Sequence, residues 1–82
     1  MNTPLRSLFA ISLDIEQYWN QIPHNARPWA TMIGALSSIH DAYGFYSGRT
    51  IVDEFLNHST DWKGRDAQRI KSELKKHLKQ LP

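Results

Sequence analysis

The side chains able to hold a metal are four histidines, His24, His40, His58 and His77, and eight carboxylates, in an 82-residue chain that has no cysteine. Two arrangements have ligand spacing. His40 is followed directly by Asp41, and Glu54 stands four residues before His58, which places that pair on one face of a helix. Each arrangement supplies two ligands, whereas a zinc catalyst needs three protein ligands and an open position. Surface histidines are the expectation, with no metal and no cofactor. The carboxylates Asp14, Glu16, Asp53 and Glu54 read as solvated helix faces, because nothing in their spacing pairs them for acid–base work. The serines form no nucleophile elbow. The chain is not expected to be an enzyme.

Chemistry of recognition is better represented. Tyr43-Gly44-Phe45-Tyr46-Ser47-Gly48-Arg49 sets three rings beside two glycines and an arginine, the composition of an interface hot spot. Phe45, Tyr46 and Arg49 are the candidate partner-binding residues of this loop. The competing reading folds Phe45 and Tyr46 back as a lid over the core. The second candidate surface is basic. Residues 1–62 carry a net charge of −3 and residues 63–82 a net +5, so the molecule is a charge dipole with a cationic end. On a helical wheel Arg65, Arg69 and Lys76 cluster with Lys79 nearby, and Lys71 and Lys75 lie between that cluster and the apolar stripe. Such a face could meet an acidic protein or nucleic-acid phosphates, or stay solvated as the helix dipole alone would favour.

The elements that must position these residues all have helical periodicity. Thr3-Pro4 is a helix start, and Leu5, Leu8, Ile11, Ile15, Tyr18, Trp19 and Ile22 then give one apolar face before Pro23 ends it. A second helix, capped by Asn25 and accommodating Pro28 in its first turn, carries Trp29, Met32, Ile33, Leu36, Ile39 and Tyr43. Its flank of Ala30, Gly34, Ser37 and Ser38 suggests either a close approach by another backbone or a solvent face. Gly44 closes this helix as a left-handed cap. A third helix begins near Thr50 with Ile51, Val52, Phe55, Leu56 and Trp62 apolar, and frays through Asn57 to Thr60. The fourth runs from Arg65 to Gln80 on the stripe Ala67, Ile70, Leu74, Leu78 and Leu81, with Pro82 ending the chain. The expected fold is therefore all-α, a compact bundle of about four helices in one domain spanning 1–82.

A domain of this size buries only about 60% of the surface its unfolded chain exposes, so its large side chains carry most of the stability. Without cysteine it has neither disulfides nor thiolate metal sites to help. The most apolar opening stretch, Leu5 to Ile15, is interrupted by Arg6 and Asp14, which argues against a signal peptide or a membrane span. A cytoplasmic setting is expected, and self-association stays open for a small chain rich in aromatics.

The stretch from Trp62-Lys63-Gly64-Arg65 to Leu74-Lys75 resembles the ending of small uncharacterised helical proteins borne by bacteriophages, prophages and plasmids. The shared features are a tryptophan, a basic residue and a glycine, followed by a basic amphipathic helix. They cover about a sixth of the chain. What the resemblance implies is a stoichiometric binder that blocks a host enzyme, a regulator or a defence complex, as anti-CRISPR proteins do. The functional expectation is thus a non-enzymatic protein-binding module. Its alternative is a nucleic-acid-binding or regulatory module that uses the basic last helix.

Overall fold

The computed structural model describes residues 5–80. Thr3 and Pro4, Leu81 and Pro82 lie outside the described residues. Four helices, α1 (Leu8–Tyr18), α2 (Arg27–Ile33), α3 (Gly48–Asn57) and α4 (Arg65–Leu78), enclose one apolar core, and a two-stranded hairpin, β1 (Ala42–Tyr43) with β2 (Tyr46–Ser47), stands between α2 and α3. The fold is mostly helical but not purely all-α. Each helix packs on two others, α1 on α2 and α4, α3 on α2 and α4, so the four close into a ring. Leu8, Ile11, Ile15, Ile33, Ile39, Ile51, Phe55, Ile70 and Leu74 fill its centre.

The expected helix boundaries change where local chemistry competes with periodicity. Ser7 caps α1, its hydroxyl accepting from the Ala10 N–H at 3.0 Å. The helix stops at Tyr18 rather than Ile22 because Trp19 adopts an extended backbone and turns inward, stacking on Trp62 at 4.9 Å and meeting Phe55 edge-on at 6.0 Å. Ala26 occupies the capping position expected of Asn25. The second helix ends ten residues early. Beyond Ile33 the backbone breaks into bends and turns, since Gly34, Ser37 and Ser38 are weak helix formers and polar side chains offer the backbone other partners. Asp41 accepts from the Ser37 N–H at 3.0 Å and the Ala42 N–H at 2.8 Å, and Ser38 accepts from His40. Leu36 and Ile39 are buried all the same, whereas Tyr43 is exposed. What approaches Gly34 is a side chain: a Cβ there would lie 2.9 Å from the Ser12 hydroxyl of α1.

Helix α3 starts at Gly48, earlier than Thr50, with Ser47 as its cap. The expected fraying at Asn57 to Thr60 does end it, and Trp62 is buried in the following turn. Helix α4 begins after Gly64, whose φ is +107°, and buries Ala67, Ile70 and Leu74 as its stripe requires. His77 is buried as well, which corrects its reading as a surface histidine. It lies three residues after Leu74, on the apolar side of the helix, and its Nε2 donates to the Arg6 carbonyl at 2.8 Å.

Candidate functional site

The hairpin is built from a two-residue turn. Gly44 has φ +62° and Phe45 does not share the positive φ, the pattern of a type II′ turn, in which the first central position calls for glycine. The left-handed glycine expected from the sequence therefore serves a strand turn and not a helix cap. Tyr43 pairs with Tyr46 and Ala42 with Ser47. Helix α3 then starts directly from β2, and the Gly48 N–H donates to the Asp41 carbonyl at 2.7 Å, closing the base of the hairpin. No larger residue fits at that closure: a Cβ on Gly48 would sit 2.6 Å from the Ile39 carbonyl oxygen.

On this mount the rings face outward. Phe45 is fully exposed at 104%, Tyr43 half-exposed and Tyr46 exposed at 42%. Tyr46 is steadied from one side by Trp29 of α2, edge to face at 5.1 Å, and Trp29 in turn stacks against His58 at 6.4 Å. The lid over the core is therefore not what forms. A hairpin of two-residue strands holds the phenyl ring away from the helices, and Phe55, Trp19 and Trp62 already fill the aromatic part of the core.

Arg49, the third loop candidate, points elsewhere. Its guanidinium donates to the carbonyls of Leu78 and Gln80, satisfying orphan acceptors at the end of α4 and tying α3 to that end. The basic face is divided in the same way. Arg69 bridges to Asp14 at 3.3 Å, Asp66 at 3.4 Å and Glu73 at 3.5 Å and lies over the Tyr18 ring. Arg6 joins that network bidentately through Glu73 and reaches Asp14 at 2.8 Å. Asp14 is thus not a solvated carboxylate. Partial burial pushes its pKa up, but hydrogen bonds and attraction from Arg6 and Arg69 outweigh that and leave it below the ordinary value. Glu16 is likewise paired, with Arg27.

Lys71 is the residue whose role periodicity concealed. Its ammonium donates to the Ser59 carbonyl at 2.6 Å and the Trp62 carbonyl at 2.7 Å, and lies 5.9 Å from the Trp62 ring centre. Burial, together with Lys63 and Lys75, pushes its pKa down. Its position beside Ile70 on the apolar margin was the available signal. Arg65 and Lys76, by contrast, are exposed and make no ion pair among the described residues, nor do Lys63, Lys75 and Lys79. The six candidates therefore separate into an exposed pair at the hairpin, two exposed cations on α4, and Arg49 and Arg69, which are engaged within the fold.

The histidine pairs are held by local structure. Asp41 accepts two backbone N–H groups, chiefly that of Ser37, which keep its carboxyl below the ordinary pKa, and His40 is exposed beside it. His58 Nδ1 lies 2.8 Å from the Glu54 carbonyl and 3.7 Å from its carboxylate. Among the described residues no three His, Asp or Glu side chains are placed to hold a metal ion, and no helix is long and apolar enough to cross a membrane. The chain matches no known protein family, no curated protein and no solved structure.

Proposed function

We propose that this chain is a small non-enzymatic protein-binding module that seizes its partner with the β1–β2 hairpin, Phe45 serving as the anchor and Tyr43 and Tyr46 flanking it. The full exposure of Phe45 on a braced turn carries the reading. Leaving a phenyl ring in water costs the chain the burial it would gain elsewhere, and aromatic anchors of this kind dominate interface energetics. The likeness of the Trp62–Lys75 stretch to proteins of mobile elements suggests an inhibitor of a host defence complex, anti-CRISPR-like, acting in the cytoplasm.

The test is capture of a partner from bacterial lysate by wild-type chain and by Phe45→Ala. Because the ring touches nothing in its own fold, the variant should keep its stability within about 0.5 kcal/mol while losing about 2 kcal/mol or more of binding. Undiminished capture overturns the hairpin reading. A second reading, nucleic-acid binding by α4, is favoured only by Lys63, Arg65, Lys75, Lys76 and Lys79, which make no ion pair among the described residues. It requires affinity that falls steeply with salt and is lost in Arg65→Ser with Lys76→Ser. Arg69 should be left in place in that variant, because removing it breaks the network with Asp14 and Glu73.

A further inference from the structure

Resting on the second reading of α4, we infer that this helix lies across the mouth of the major groove of duplex DNA, with one group of its cations on each phosphate strand and no side chain reading a base. The charge that does this is what the fold leaves over. Of the ten Lys and Arg residues, Arg6, Arg27, Arg49, Arg69 and Lys71 are engaged with carboxylates or carbonyls of the same chain. The other five, Lys63, Arg65, Lys75, Lys76 and Lys79, are exposed, and all lie on α4 or immediately beside it. At about 100° per residue, Arg65, Gln68, Ser72, Lys75, Lys76 and Lys79 occupy an arc of roughly 100° opposite the buried stripe of Ala67, Ile70 and Leu74. No carboxylate enters that arc: Asp66 and Glu73 stand at its α1 margin, held by Arg69.

The composition of the arc selects the partner. A protein interface is centred on apolar or aromatic side chains and is depleted in lysine, whereas this arc holds neither a ring nor an aliphatic residue. An anionic membrane surface takes an amphipathic helix by burying its apolar side, which α4 has already committed to the core. Phosphate strands ask for neither, because cations bind them by releasing condensed counterions. Single strands are held by stacking their bases on aromatic rings beside a basic groove, and the arc has no ring. Spacing then selects the duplex. Lys63 and Arg65 stand at one end of α4 and Lys75, Lys76 and Lys79 at the other, with roughly 16 Å along the axis between Arg65 and Lys76. Only Gln68 and Ser72 occupy the arc between them. The major groove of B-DNA is about 12 Å wide and bordered by a phosphate strand on each side, so two cationic ends joined by an uncharged middle meet both borders. It is also about 8.5 Å deep, beyond the reach of serine or glutamine from its mouth, which leaves the bases unread. Duplex RNA, with its narrow major groove, does not offer that spacing.

The test is fluorescence anisotropy of labelled short DNA duplexes of two unrelated sequences, of a single strand and of a duplex RNA, over a salt series. Both DNA duplexes should bind within about threefold of each other and more tightly than the single strand or the RNA. The logarithm of their association constant should fall against that of salt with a slope of about −4.5, as five neutralised phosphates give. Arg65→Ser should reduce the slope by about one. Arg65→Ser with Ser72→Lys restores the net charge but moves it from one end of the helix to the uncharged middle. Both positions are exposed, so circular dichroism should show an intact fold, and binding should match that of Arg65→Ser alone. Recovery of wild-type binding in the double variant, a preference for the single strand or the RNA, or a wider gap between the two sequences overturns the groove-spanning inference and keeps nucleic-acid binding by α4. Absence of binding to all four probes overturns both, as does tighter binding to polyglutamate or to phosphatidylserine vesicles than to the DNA duplexes.

Discussion

The hairpin and the last helix invite opposite treatments of side chains that look equally available in the sequence. In α4 the chain consumes much of its own charge: Arg69 is spent on three carboxylates, Lys71 on two carbonyls, and Arg49 reaches across to the helix end. In the hairpin it does the reverse, leaving its rings largely exposed and holding them out with a glycine turn, a backbone closure and one supporting ring, Trp29. The difference follows from what each group needs. A cation near a helix terminus or an acidic neighbour finds partners within its own fold, whereas a phenyl ring beyond a tight turn finds none without bending the turn. A conspicuous charge cluster is therefore weaker testimony to a partner here than a conspicuous ring.

The comparison can be broken first where α4 meets the core. Trp62→Ala removes the ring that stacks on Trp19 and touches Phe55, and should cost about 3–5 kcal/mol, read as a large fall in the denaturant midpoint. A loss under about 1 kcal/mol, an ordinary surface value, would mean that α4 is not seated as described. Lys71→Met keeps the aliphatic stem and removes the ammonium, leaving the Trp62 carbonyl without its donor and the Ser59 carbonyl with only the Trp62 N–H. With one carbonyl orphaned, it should cost about 1–2 kcal/mol, more than any of the exposed lysines. An unchanged melting temperature would return Lys71 to the solvated face.

The smallest effect sharpens the electrostatic half. Asp14 has a lower pKa in the folded chain than in the unfolded one, so its pairing with Arg6 and Arg69 adds stability above the ordinary carboxylate range and loses it as pH falls through the folded-state value. Asp14→Asn should remove about 1 kcal/mol at neutral pH and flatten the acid limb of the stability curve. An acid limb identical in both proteins would dismiss the network as a stabilising device.

Much of the fold was legible because periodicity is local. The apolar stripes of α1, α3 and α4 name their own core residues, and Leu8, Ile11, Ile15, Ile51, Val52, Phe55, Ile70 and Leu74 are all buried. Helix ends were less legible. The apolar spacing from Trp29 to Tyr43 continues past Gly34, but helix formation also depends on propensity and on competing side-chain acceptors, and Asp41 and Ser38 take the backbone N–H groups that a longer helix would have used. Of the candidate site, Phe45 and Tyr46 were legible from composition alone, though not whether they faced inward.

By itself, then, the sequence determined the number of helices, most residues of the core, the positive φ at Gly44 and the concentration of positive charge after Trp62, since each depends on neighbours a few positions apart. The tertiary structure alone decided which of those charges remain available and which rings meet water. Those outcomes join Arg6 to Glu73, Trp19 to Trp62 and Arg49 to Leu78, residues far apart in the chain, and a pairing of that kind exists only once the helices have closed on one another.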